Sequence, residues 1–192
     1  MILASNNAHK LTEIRAILAD LGIDLISQRE AGCDFEVEET GTTFEENAYL
    51  KAAAVTKATG EPAIADDSGL EVDALGGAPG IYSARFSGEH GDDKANNRLL
   101  LQKLEGVQDR GAHYTCAIAL VWPDGKTVTA EDYLYGEIAH DERGSNGFGY
   151  DPLFLLPELG LRTAEISAEE KNRISHRGKA LRQLVEKLEA ME

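Results

Sequence analysis

The sequence predicts an α/β fold built on an elongated, mixed β-sheet. Three observations carry this. Short apolar runs of strand length alternate with stretches of helical period. A two-strand segment from His113 to Ile138 closes at Pro123, Asp124 and Gly125, an Asp-Gly hairpin signal. The central stretch Pro62 to Gly80 reads as strand, polar turn and strand. A hairpin of that length in an alternating chain points to an extended sheet with strands of both senses, not a simple doubly wound one.

Ile2 to Ala4 is a short strand that breaks at Ser5, Asn6 and Asn7. An amphipathic helix follows, with Leu11, Ile14, Leu18 and Leu21 marking one face, and it ends near Gly22. Ordinary capping by Ser or Asn accounts for this junction. So does an anion site, because a helix start presents unpaired N–H groups and a favourable dipole, with Ser5 and Asn7 as neutral donors and Lys10 as a point charge. The junction contains no glycine, which excludes a Walker loop.

Asp24 to Ser27 and Asp34 to Val37 are strand candidates. Thr43 with Glu46 makes a capping box that opens a helix running to about Thr59, on which Asn47 and Lys51 share a face. Glu45 and Glu46 suit the positive end of the helix dipole. Glu38 and Glu39, on the loop before it, have no capping duty and are better placed to bind a metal.

Ala63 to Ala65 forms a strand that delivers Asp66 and Asp67 into a Ser68-Gly69 turn, with a second strand at Leu70 to Val72. Neighbouring side chains of a strand face opposite ways, so one carboxylate faces an open site while the other anchors the turn or faces the opposite layer. A plain polar hairpin fits Asp-Asp-Ser-Gly equally well.

Ile81 to Gly88 reads as irregular or short extended chain, and a helix runs from about Asp92 to Leu104. Gly144 to Pro152 is a glycine-rich loop. Its Phe148 and Tyr150 are placed either to stack on a flat base or to fill the core, while Pro152 keeps Asp151 out of the helical region. Leu153 to Leu156 is strand-like, and Ser167 with Glu170 forms a second capping box ahead of Lys171. The last helix opens around Ser175 and presents Leu181, Leu184, Val185 and Leu188. His176 and Arg177 set cations against the dipole in its first turn, a conflict that a binding site often explains.

At 192 residues and 20.8 kDa the chain is expected to form a single domain, 1–192, with two lobes. The opening Met1 to Ser5 run is too short and uncharged for a signal peptide and no segment is long enough to span a bilayer, so a cytoplasmic protein is expected. Cys33 and Cys116 make neither a disulfide framework nor a metal motif and read as core residues. A net charge of -15 argues against nucleic-acid and anionic-membrane partners. It leaves a nucleotide open, because carboxylates that hold magnesium can bring a triphosphate to an acidic surface.

These residues describe a metal-dependent enzyme acting on phosphate esters. Several stretches together resemble the inosine triphosphate pyrophosphatase (Ham1-type) family, in its bacterial form, in order along essentially the whole chain. They are Ser5 to Lys10, Glu38 to Gly41, Glu46 to Ala52, Ala65 to Leu70, Gly76 to Arg85, Phe148 to Pro152 and Ser175 to Arg177. The resemblance implies a two-lobed fold with the active site in the cleft, and a magnesium-dependent (Mg2+) homodimer. It implies hydrolysis of inosine, deoxyinosine and xanthosine triphosphates (ITP, dITP, XTP) to the monophosphate plus pyrophosphate.

Carried over residue by residue, the resemblance makes Ser5, Asn7, Lys10 and Lys51 phosphate contacts and Glu38 and Asp67 the metal ligands. Asp67 is also the proton acceptor and Ser68 a substrate contact. Phe148, Gly149, Tyr150 and Asp151 form the base-pocket loop, and Lys171, His176 and Arg177 are base-recognition groups. One departure is Ser5-Asn6 where many members have Thr-Gly; serine keeps the hydroxyl, and Asn6 alters how closely phosphates approach the backbone.

Three rival readings carry expectations that the sequence does not meet. A Maf-like nucleotide pyrophosphatase of other base preference opens with a Ser-Pro-Arg type loop, absent here. A haloacid-dehalogenase-like phosphatase needs Asp-x-Asp after its first strand, whereas Asp66 and Asp67 are adjacent. A non-catalytic nucleotide-binding module would have lost carboxylates that Glu38, Asp66 and Asp67 supply.

Overall fold

The computed structural model describes residues 1–191. Its strands are β1 (Ile2–Leu3), β2 (Ile26–Ser27), β3 (Ala63–Val72), β4 (Gly111–Val121), β5 (Thr127–Ile138), β6 (Phe154–Leu156) and β7 (Leu161–Arg162). The helices are α1 (Ala8–Asp20), α2 (Phe44–Thr59), α3 (Asp93–Lys103), α4 (Ala168–Ile174) and α5 (His176–Glu189), with 3-10 turns at Asp73–Leu75, Gly80–Arg85 and Thr163–Glu165. One seven-stranded sheet has the order β2-β1-β3-β4-β5-β6-β7.

β1 runs parallel to β2 and β3, while β5, β6 and β7 pair antiparallel, so the sheet is mixed as the sequence predicts. The β4–β5 hairpin closes where Trp122 N–H donates to the Lys126 carbonyl and Gly125 takes a φ of 88°, a left-handed conformation open to glycine.

Side-chain caps start α1 to α4. Asn7 caps α1 by accepting from Lys10 N–H at 3.1 Å, Thr43 caps α2 by accepting from Glu46 N–H, Asp92 caps α3 and Ser167 caps α4. The box at α2 is only half made. Glu46 turns its carboxylate to the N–H and hydroxyl of Thr42 instead of reaching Thr43.

The chain forms two compact units. The first comprises Met1–Ser68, Cys116–Asp132 and the segment from His176 onward. Here β3 is covered on both faces. Ile64 joins Leu3, Ile118 and Leu120 against Ile14 and Leu18 of α1 and Leu181 and Leu184 of α5. Its neighbours Ala63 and Ala65 join Ile2 and Val121 against Ala52 and Val55 of α2. Burial on both faces is why this strand reads as an unbroken apolar run. Each fully buried Leu or Ile contributes about 1.5–3 kcal/mol.

The second unit comprises Gly69–Thr115 and Tyr133–Ser175. Leu70, Val72, Ala112, Tyr114, Leu134 and Ile138 point inward against Leu100 and Leu104 of α3 and against Leu153, Phe154 and Ile166. The alternate residues Glu71, His113, Thr115, Tyr133 and Tyr135 take the opposite face, in the strict period of two expected of strands.

Four expectations change. Ser68 and Gly69 make no turn. β3 runs straight through them, Gly69 has no positive φ, and Leu70 N–H is received by Ser83 Oγ at 2.8 Å. Residues 34–37 form no strand, because the Phe35 carbonyl is taken by the Gln28 and Asn6 side-chain amides; the neighbouring candidate at Asp24 shrinks to β2. The stretch expected to be irregular or extended after Gly80 is a 3-10 turn, tied by Ser83 Oγ donating to the Gly80 carbonyl.

Candidate active site

In the first unit, β3 sends Asp66 and Asp67 to opposite faces. Asp66 faces α1 and α5. Its Oδ2 lies 3.2 Å from Lys10 Nζ and accepts from Arg177 at 3.1 Å. Burial alone would raise its pKa, but Lys10, Arg177 and Lys51 outweigh burial and hold the carboxyl well below the usual carboxylate range. Arg177 also donates to Ser68 Oγ at 2.8 Å and to Glu13. The cation at the start of α5 is therefore held in a buried network, which offsets the dipole conflict.

Asp67 faces α2, with its Oδ1 3.2 Å from Lys51 Nζ, which in turn donates to Glu39 at 2.8 Å. Burial pushes the Asp67 carboxyl up against the opposing pull of Lys51 and Lys10, and the Glu39 and Asp66 charges push the same way as burial. Lys51 is drawn down by its own burial, yet Asp67, Asp66 and Glu39 outweigh that and raise it, so it stays a cation.

Two buried oxygens here, Asp66 Oδ1 and Asp67 Oδ2, have no hydrogen-bond partner, a costly arrangement for carboxylates and a suitable one for a hard cation. Among the described residues no three His, Cys, Asp or Glu side chains converge into a ready-made ion cage. Asp67 with one more carboxylate therefore fits an ion that keeps waters and takes substrate oxygens, as magnesium does, better than one needing a full protein shell.

The four residues expected to contact phosphate, Ser5, Asn7, Lys10 and Lys51, all lie in this unit. Ser5 Oγ accepts from Asn7 N–H at 3.1 Å, and Asn7 is occupied as the α1 cap, so the capping reading is realised at this junction. Lys10 and Lys51 both reach the aspartate pair. Glu38 is exposed on the loop before α2, while Glu39 beside it pairs with Lys51. His176 is buried at the start of α5.

In the second unit, the Phe148 to Asp151 loop is braced from below. Asp151 is buried. Its Oδ2 accepts from Lys171 Nζ at 2.7 Å and from Phe148 N–H at 3.0 Å, and its Oδ1 accepts from Thr163 at 2.9 Å. Lys171, also buried, stands 4.8 Å above the Phe148 ring centroid, a cation–π contact. Tyr150 is core, donating its hydroxyl to the Ser83 carbonyl at 2.7 Å, whereas the Phe148 ring is half-buried. Of the two aromatics offered as a stacking wall, only Phe148 retains open surface.

Sequence reasoning missed Glu13, the partner of Arg177, and Thr163, the partner of Asp151. It also missed Asp93 and Asn97 on α3, which bond to the backbone of Gly149. None lies in a motif. A helix carboxylate and a threonine in a 3-10 turn carry no local signal of a partner 164 or 12 residues away.

Buried carboxylates flanked by lysines in an α/β fold are suited to chemistry on anionic phosphates. A model of the Ham1 family matches residues 1–187, and the chain belongs to that family. It is 58% identical over 190 residues to a dITP/XTP pyrophosphatase of Streptomyces avermitilis, covering 96% of this chain and 94% of that one. It is 50% identical to one from Clostridium perfringens, covering 99% and 97%. Among solved structures, the Ham1 protein of Staphylococcus aureus superposes with a TM-score of 0.89 at 47% identity, covering 100% of this chain and 98% of that chain.

Proposed function

We propose that this chain hydrolyses the triphosphates of inosine, deoxyinosine and xanthosine to the monophosphate and pyrophosphate, removing deaminated purines from the nucleotide pool. The observation that carries the reading is Asp67, a buried carboxylate whose Oδ2 has no partner and whose pKa is pushed up by burial beside Lys51. Such a group is suited to accept a proton. The activity named for relatives with 50% or more identity over nearly the whole chain supports the same assignment.

The reaction is an in-line displacement. A water oxygen forms a bond to the α-phosphorus, the bond from that phosphorus to the bridging oxygen breaks with its electron pair going to pyrophosphate, and the water proton passes to Asp67. Lys10 and Lys51 balance the developing negative charge, and the α1 start with Ser5 and Asn7 orients the phosphates. Asp67, with Glu38 as the second ligand that the family resemblance implies, would hold Mg2+, which when bound lowers the pKa of water and shields the phosphate oxygens.

The base is assigned to the second set of residues. Phe148 offers its ring face and Lys171 a donor for the 6-oxo group; adenine, with an amino group there, would set donor against donor. Asp151 accepts bonds with both oxygens, so its role is to hold Lys171 and Phe148 in place and not to read the base edge. Arg177 and Ser68 act through Asp66, keeping β3 in register beside Asp67. His176 completes the α5 start.

The protein works in the cytoplasm, where these nucleotides are, and as a homodimer. The second unit's outer sheet face supports the dimer: Tyr135 is 67% exposed, with the His113 and Tyr133 rings 5.4 and 6.0 Å away. Light scattering tests the mass. Among the described residues no helix is long and apolar enough to cross a membrane.

The deciding experiment measures pyrophosphate separately from orthophosphate, with magnesium and a panel of inosine, xanthosine, guanosine and adenosine triphosphates. Pyrophosphate from the first two alone is expected. Orthophosphate with diphosphate, or equal turnover of all four, overturns the assignment.

A further inference from the structure

Gly149 sits at the crown of the loop between Phe148 and Tyr150, with a φ of 61°, and both polar groups of its backbone are claimed by α3. Its N–H donates to Asp93 Oδ2 at 2.8 Å, and its carbonyl accepts from Asn97 Nδ2 at 3.1 Å. Asp93 and Asn97 lie four apart on α3, one turn of one helix face, so a single rigid element grips both sides of one residue.

The helix alone does not account for these contacts: the dipole favours an acid in the first turn at Asp93, but it does not require the bond to Gly149. The cap of α3 is Asp92, which accepts from Ala95 N–H, so Asp93 is not needed to start the helix. Asn97 is 3% exposed and its Oδ1 has no partner, so burying this amide is unfavourable except for what its Nδ2 does at Gly149.

We propose that Asp93 and Asn97 are positioning residues that set base selectivity by clamping Gly149. Clamped, the glycine N–H is taken and its carbonyl is held in one direction, so neither can turn to meet a wrong base, and Phe148 presents one fixed ring face beside Lys171. Released, a glycine rotates readily, and its freed donor and acceptor pair with adenine or guanine edges that the fixed loop leaves unmatched. This rests on the nucleotide reading above.

The test compares Asp93→Ala, Asp93→Asn and Asn97→Leu with the parent. In Asp93→Ala and Asn97→Leu, kcat/KM for inosine triphosphate relative to adenosine and guanosine triphosphates is expected to fall about tenfold, through KM more than kcat. Exchange of the Gly149 amide proton, followed by NMR, speeds up about tenfold in Asp93→Ala. Asp93→Asn keeps an acceptor oxygen and restores both. If Asn97→Leu does not fold, the two Asp93 variants decide. Parent selectivity and a protected Gly149 amide in Asp93→Ala overturn the clamp. Absence of pyrophosphate from the parent overturns the nucleotide reading and the selectivity role with it, an outcome that the amide exchange rates distinguish from failure of the clamp.

Discussion

Arg177 and Asp66 lie 111 residues apart in sequence and meet at 3.1 Å, with Arg177 only 2% exposed. Removing one partner of such a pair leaves the other charged and buried, which costs about 3–5 kcal/mol. Lys10 stays on Asp66, so Arg177→Met is expected to lower unfolding stability by up to that amount in urea titration. Asp66 also has a pH signature. Its folded pKa is depressed, so its contribution is complete above the unfolded carboxylate value of about 3.9 and is lost as pH falls through the folded value. In metal-free protein, the slope of stability against pH below about pH 4 should be shallower in Asp66→Asn than in the parent.

Asp67 is expected to show the opposite balance of stability and activity. Because folding raises its pKa, its charge is not what stabilises the strand, and Lys51 keeps Glu39 when Asp67 is neutralised. Asp67→Asn should melt no lower than the parent while kcat falls about 10²–10⁴-fold from loss of the proton acceptor alone. Chelation should abolish parent activity and added magnesium restore it. Magnesium should also raise the parent's melting temperature and not that of Asp67→Asn, a readout independent of turnover.

How much of this was legible beforehand depended on the range of the interaction. The Thr43 and Ser167 caps are local, three residues from donor to acceptor, and the sequence shows them directly. The opposite facing of Asp66 and Asp67 follows from strand period alone. Whether Ser68-Gly69 turns or continues does not, because it depends on Ser83 receiving Leu70 N–H from a segment with no clear pattern. The fate of Tyr150 was equally undecidable, since the Ser83 carbonyl that takes its hydroxyl is 67 residues away. Glu38 and Glu39 are alike in sequence, and only the fold puts Glu39 on Lys51.

Tyr150 yields an alkaline prediction. Burial, followed by the Asp93 charge, pushes its phenol above the ordinary tyrosine value. The folded state then keeps a proton that the unfolded state releases, so this term is flat below about pH 10 and stability falls as pH rises beyond it. The buried Cys116 thiol acts in the same sense from about pH 8.5, which makes the comparison with Tyr150→Phe the informative one. That variant should lose about 0.5–1.5 kcal/mol at neutral pH, since the Ser83 carbonyl still has Asn96 Nδ2 within 3.5 Å, and should show a weaker alkaline decline.

The glycines of the Gly144 to Pro152 loop are not equivalent, and a pair of alanine substitutions separates them. Both Gly147 and Gly149 have positive φ, at 72° and 61°, so either substitution carries the left-handed penalty of about 1–2 kcal/mol. A Cβ on Gly149 would meet nothing within 4 Å, and Gly149→Ala should cost no more than that. A Cβ on Gly147 would overlap Asp151 Oδ2. That oxygen accepts from Lys171 and Phe148 N–H, so Gly147→Ala must displace the carboxylate that fixes both. It is expected to melt lower than Gly149→Ala and to raise KM for inosine triphosphate about tenfold or more, in line with loss of a charge-assisted bond. Equal melting temperatures and equal KM values would show that the carboxylate can move aside without consequence for the loop.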